Sequence, residues 1–227
     1  MTIVYALRYP VEPMKTRFLS LIVLLLAATH ARADWVLVQK TDAEGKETVV
    51  TTKIKGEQAR VDMGDKMSAI LGAEGMVMMM HAQKMMMKMD LATLKASLEK
   101  TGKGPGGQAA AKPVATGQKE KVGEWNAEIY TWEGTLGKGR FWVAKDFPKH
   151  AEISAISDKL GKVMGGAVSG ISPQASDFDG MVVKSEMTMM GKSVTTLLVS
   201  AKEETLNANE FVPPAGYEEM KMPGAPK

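Results

Sequence analysis

From Trp35 onward the chain falls into short β-branched and apolar runs, each ended by a turn at a spacing of about 8–12 residues. Trp35-Val36-Leu37-Val38-Gln39 precedes a turn at Asp42-Ala43-Glu44-Gly45. Glu47 to Ile54 reads ETVVTTKI, and Gly56 separates it from Ala59 to Met63. Met67 to Leu71 and Gly75 to Met89 continue the series, with a turn at His81-Ala82-Gln83. A branched Cβ restricts χ1 and packs well on a pleated surface, so such runs favour strands. Strands resume at Gln118 to Val122, Trp125 to Glu133 and Gly139 to Lys145. A last hairpin runs from Met181 to Met190 and returns from Ser193 to Ala201. Strands joined by short turns pair antiparallel, so the pattern predicts a curved antiparallel β-sheet, a half-open barrel.

Two segments change period. Asp90 can accept an orphan backbone N–H as an N-cap, and Leu91, Leu94 and Leu98 follow at helical spacing, which predicts a helix from Asp90 to Lys100. After Pro148, the residues Ile153, Ile156, Leu160, Val163 and Met164 keep a 3.6-residue rhythm and predict a second helix from Lys149 to Met164. The fold class is therefore α+β, with two helices packed on the concave face of the sheet. Thr101 to Gly117 (TGKGPGGQAAAKPVATG) has no periodicity and reads as a flexible loop within one domain. Phe211-Val212-Pro213-Pro214-Ala215-Gly216-Tyr217 reads as an extended strap, with Phe211 and Tyr217 pinning it to the body.

Residues 14–33 read as a secretory signal peptide behind an N-terminal extension of residues 1–13, and 34–227 as the working domain. Lys15 and Arg17 supply positive charge, Phe18 to Ala28 an apolar run, and Ala31-Arg32-Ala33 small residues before a cut near Ala33–Asp34. The start is either Met14, or Met1 with a long charged region. The apolar run is shorter than the ~20 residues a membrane span takes, so no integral membrane segment is expected in the mature chain. The mature protein is expected to be periplasmic or secreted, soluble and monomeric.

Cleavage also removes the chain's excess charge. The whole sequence has 29 Lys+Arg against 26 Asp+Glu, but from Asp34 on there are 25 of each. A neutral chain with interspersed charges has no field to attract nucleic acid. With no cysteine there are no disulfides, thiolate metal sites or thiol nucleophiles. Only His81 and His150 remain, without the spacing of a zinc enzyme. No serine sits in a GxSxG turn, and Gly102 to Gly107 lacks the Lys-Ser/Thr of a phosphate loop. Asp177 and Asp179 read as a turn before a strand. The expectation is a protein that is not an enzyme and needs no cofactor.

Methionine is the feature left to explain. Seventeen of the 19 methionines follow residue 33, and eight of them lie in Met76 to Met89 (MVMMMHAQKMMMKM). Strand alternation puts Met76, Met78 and Met80 on one face, as it does Met85, Met87 and Met89, and Met181, Met187 and Met189. These nine residues are the expected lining of one groove. Three readings follow: flexible core filling, an adaptable apolar surface for a lipid, acyl chain or lipidated partner protein, or a Cu(I)/Ag(I) site of soft ligands at Met79, His81 and Met85. The hydrophobic-ligand reading is the leading one. The soft-metal protein and a purely structural envelope protein are its alternatives.

Several short segments together resemble the DUF4412 family of exported bacterial proteins. They are Thr51-Thr52-Lys53-Ile54-Lys55-Gly56 with Ala59-Arg60-Val61-Asp62-Met63, the methionine-rich strand pair, Phe141 to Lys145, Met181 to Met187 and Phe211 to Tyr217. That family looks similar to periplasmic proteins built like the lipoprotein carrier LolA and its receptor LolB. The resemblance implies a curved antiparallel sheet whose concave face is plugged by helices and holds acyl chains.

Overall fold

The structure, a computed structural model, describes residues 34–90, 92, 93, 96, 111–164 and 172–220, with positions 163 and 164 described through their backbone alone. The first meander comprises β1 (Trp35–Ala43), β2 (Lys46–Lys55), β3 (Gln58–Met63), β4 (Met67–Gly72), β5 (Gly75–Met80) and β6 (Met85–Asp90). The second comprises β7 (Val114–Val122), β8 (Trp125–Gly134), β9 (Gly137–Ala144), β10 (Met181–Met189) and β11 (Lys192–Glu203), with helix α1 (His150–Met164) between β9 and β10. A two-residue strand, β12 (Glu218–Glu219), ends the described chain.

All twelve strands form one open sheet, in the order β12-β6-β5-β4-β3-β2-β1-β11-β10-β9-β8-β7. The two meanders meet where β1 pairs antiparallel with β11. Only β12 runs parallel to its neighbour, β6. The connection at 91–113 thus joins strands near opposite ends of the sheet. Turn chemistry explains the tight hairpins: Asp42 Oδ1 accepts from Gly45 N at 2.8 Å, and Gly45 (φ 82°) and Gly56 (φ 58°) supply positive φ at little steric cost.

Alternation divides the strands between two faces. On one, Trp35, Leu37, Ile54, Val61, Leu71 and Met76 join Ile129 and Trp142 beneath Ile153, Ile156 and Leu160 of α1. This is the main core, and the periodic apolar residues of α1 are the ones that enter it. On the other face, Ile70 and Met79 are covered by Leu206 and Phe211, with Tyr217 packed alongside. Tyr130, Trp132, Phe141 and Val143 are covered there by Phe178.

The predicted strands and the helix before β10 are present. The helix expected from Asp90 is present at Ala92, Thr93 and Ala96, and Asp90 Oδ1 accepts from Thr93 N at 2.7 Å, as an N-cap should. Its other residues, the 101–110 part of the expected loop and the address segment lie outside the described residues. Residues 114–117, expected to be loop, belong to β7 instead. Val114 pairs with Thr131 and Ala115 with Tyr130, and a bulge before Lys119 absorbs the intervening residues. Thr116 Oγ1 satisfies the Ile129 carbonyl there at 2.8 Å. A bulge hides such a strand from any period-2 reading.

Candidate functional site

The methionine strands pair so that six of their eight methionines face the helix side, while Met79 and Met86 face the strap. Met76 lies opposite Met89, Met78 opposite Met87 and Met80 opposite Met85. The row continues sideways, with Met67 opposite Met80 and Met63 opposite Met67. Directly opposed residues project from the same face, so six predicted groove residues and two further methionines form one ladder across β3 to β6. Gly75 starts this pairing. Its φ is 136°, and a Cβ there would stand 2.1 Å from the Met89 carbonyl oxygen.

Burial grades along the ladder. Met76, at 2% exposure, is a core residue. Met63, Met78 and Met89 are half-buried and pack against the main core. Met67, Met80, Met85 and Met87 are half-buried and join none of the apolar clusters of described residues. A cavity of about 560 Å³ opens beside the ladder's buried end, lined among others by Met76, Met89, Val77, Phe211 and Val212.

The third predicted group does not hold together. Met181 joins the main core, whereas Met187 packs with Tyr130, Trp132 and Phe141 on the other face of β9. The cause is a bulge in β10: Val182 pairs with Val143 but Lys184 pairs with Trp142, so Val183 is an extra residue. That residue reverses the alternation after Met181, and Met189 follows Met187. Met187 lines a separate cavity of about 770 Å³ together with Trp132, Lys138 and Arg140.

The soft-metal grouping is also separated. Met79 is fully buried on the strap side and lies opposite Met86, while Met85 projects from the ladder side. His81 is held elsewhere, with Nε2 2.7 Å from Ser68 Oγ and Nδ1 2.5 Å from Tyr217 Oη. Met79, His81 and Met85 therefore do not converge on a common point.

His81 instead belongs to a polar relay that the sequence did not announce. Arg60 Nε donates to both carboxylate oxygens of Asp62, at 2.8 and 3.1 Å, and Ser68 Oγ donates to Asp62 Oδ1 at 2.5 Å. Because that proton is committed to Asp62, Ser68 accepts from His81 Nε2–H, and in that tautomer Nδ1 is left to accept the Tyr217 hydroxyl proton. A catalytic triad orders these groups differently, with histidine between serine and carboxylate. Here serine lies in the middle and is 1% exposed, so its oxygen cannot reach a substrate. The relay fastens the strap. Two of its members, His81 and Tyr217, are 136 residues apart, so no spacing rule could have found it.

Further anchors hold the chain on either side of the strap, from Leu206 to Met220. Asp34 accepts from Lys55 Nζ at 2.6 Å and from Leu206 N at 3.0 Å. Lys53 Nζ reaches Glu210 at 2.5 Å, and Arg60 Nη1 donates to the Glu210 carbonyl at 3.0 Å. Beyond Tyr217, Glu218 N and Met220 N donate to Lys84 and Met86 carbonyls at 2.8 and 2.7 Å. Burial pushes the Asp34 carboxyl up, but the Lys55 ammonium and the Leu206 N–H outweigh it and hold the group below its ordinary value. The Lys53 ammonium does the same for Glu210, helped by the Asn207 N–H. Asp179, read from sequence as part of a turn, is bound by Lys145 at 2.7 Å and by the Tyr130 hydroxyl.

The described residues define an α+β domain on an open antiparallel sheet, with a methionine-lined strip on the helix side and a relay-fastened strap on the other. The chain belongs to the DUF4412 family, a domain of unknown function, whose model matches residues 34–217. No curated protein matches it. Among solved structures it is similar to an uncharacterised conserved protein from Thermus thermophilus (8% identity, TM-score 0.49, covering 88% of this chain and 98% of that one). It is similar also to a putative outer membrane lipoprotein-sorting protein domain from Vibrio parahaemolyticus (14% identity, TM-score 0.36, covering 85% and 95%). PNGF-II matches over 83% of this chain at 10% identity and a TM-score of 0.42, and the chain spans about a third of that protein's length, 31%.

Proposed function

We propose that this protein is a non-catalytic receptacle for an apolar ligand, a lipid, acyl chain or lipidated partner, working after export as a periplasmic or secreted domain. The observation that carries this reading is the register: six methionines of β5 and β6 oppose one another on one face, and five of them are half-buried rather than sealed in the core. A buried packing role accounts for Met76 and Met79, but a half-buried strip of unbranched thioethers is a surface that adapts to varied apolar shapes. In this reading the ladder is the wall of a half-open groove, and α1 together with the helix begun at Asp90 plugs its concave side.

The buried, serine-centred relay supports a role without catalysis, and the separation of Met79, His81 and Met85 counts against the soft-metal alternative. Among the described residues no helix is long and apolar enough to cross a membrane. Export with cleavage near Ala33–Asp34 rests on the charged, apolar and small-residue order of the leading segment. A single chain is taken as the working unit, without a nucleic-acid partner.

Native mass spectrometry of protein purified from its host envelope tests the proposal. The expected result is co-purifying lipid. Protein that repeatedly emerges empty and takes up no fluorescent fatty acid contradicts it, and leaves a purely structural envelope role.

A further inference from the structure

We propose that the methionine ladder is an oxidant-reactive surface, sulfoxidised by peroxide at its outer rungs while the core methionines are spared. The reactive group is a thioether, whose sulfur lone pair attacks a peroxide oxygen. The O–O bond breaks, the thioether loses two electrons and becomes a sulfoxide, and the peroxide is reduced to water. No residue of the protein is needed as a co-reactant, so access of oxidant to sulfur sets the rate.

Access is what the fold distributes unevenly. Met79 and Met76 are 0% and 2% exposed. Met78 and Met89 are half-buried against the core. Met67, Met80, Met85 and Met87 are half-buried outside every apolar cluster of described residues, and Met67, Met80 and Met85 stand side by side across three strands. Opposed positions have Cβ atoms about 5 Å apart, so each new sulfoxide dipole lies beside the next thioether. Oxidation at several rungs turns one apolar strip polar at once, whereas the same chemistry at exposed Met190, on the β10–β11 turn, changes no surface of that kind.

The consequence for binding rests on the apolar groove proposed above; the reactivity order does not. Sulfoxide formation inserts a strong dipole into each contact an acyl chain makes with the ladder. Because sulfoxides are reducible by methionine sulfoxide reductases, the change is reversible.

The test is a hydrogen peroxide time course on the purified full-length protein, with peptide mass spectrometry giving a rate for each methionine. Met67, Met80, Met85 and Met87 are expected to oxidise at least about tenfold faster than Met76 and Met79. In parallel, a fluorescent fatty acid is titrated before and after oxidation, and again after reductase treatment. The wild type should lose its fatty-acid binding in step with sulfoxide formation at Met67, Met80, Met85 and Met87, and recover it on reduction. Equal rates for outer and core methionines overturn the proposal, as does a loss of binding that does not follow sulfoxide at these four rungs. A wild type that binds no fatty acid before oxidation contradicts the groove, and the rate map alone then decides the reactivity.

Discussion

At single positions, the strap and the methionine strands depend on atoms that have few substitutes. Tyr217 supplies the last hydrogen bond of the relay, to His81 Nδ1. Tyr217→Phe keeps the ring on its apolar neighbours but leaves that nitrogen without its donor, so urea denaturation should show a loss of about 1 kcal/mol. Ser68→Ala should cost more, about 2 kcal/mol, because it strips a partner from Asp62 and from His81 together. Gly75 is constrained in another way. A Cβ added there meets backbone, 2.1 Å from the Met89 carbonyl oxygen, at a φ that L residues rarely adopt. Gly75→Ala should therefore destabilise by about 2 kcal/mol or more and loosen the β5–β6 pairing, read by urea denaturation and by amide exchange at Met76 and Met89.

At the scale of elements, the strap is the part whose attachment depends on charge. Asp34 holds the chain before it through the Leu206 N–H and Glu210 holds it through Lys53, and both carboxyls titrate below their ordinary values of 3.8 and 4.5. A carboxyl depressed in the folded state contributes its full stability above its unfolded value and loses it as pH falls through the folded one. The carboxylate-held part of the attachment should accordingly weaken only below about pH 4.5. Amide exchange at Leu206, whose N–H Asp34 accepts, would follow it, and protection there falling already between about pH 7 and 5 contradicts this expectation. Phe211 gives the apolar half of the attachment, at 5% exposure. Phe211→Ala should cost about 3 kcal/mol in urea denaturation and raise exchange along the strap at neutral pH.

The strand pattern and α1 were legible in the sequence because each follows one period without interruption. Glu47 to Ile54 alternates on a half-buried strand, and Ile153, Ile156 and Leu160 recur as a helix buries them. Legibility failed where one residue broke the count. The extra Val183 in β10 sends Met187 and Met189 to the face opposite Met181, and the irregularity before Lys119 disguises the start of β7. The relay was illegible for a different reason. Asp62, Ser68 and His81 are brought together by strand register and Tyr217 by the return of the chain, and neither appears as a local motif.

For the whole molecule, the central claim is that the ladder side of the sheet takes up an apolar chain. Burying about fifteen methylenes at ~0.8 kcal/mol each gives about 12 kcal/mol, and an association cost of about 4 kcal/mol leaves an affinity near the micromolar range. The direct measurement is titration of a fluorescent fatty acid into the wild type and into a variant carrying Met85→Lys and Met87→Lys, two half-buried rungs on β6 outside the core clusters. The wild type should bind saturably at about micromolar concentration, and binding should weaken about tenfold or more in a variant whose circular dichroism is unchanged. Wild-type protein that does not bind, or a folded variant that binds equally well, contradicts the claim.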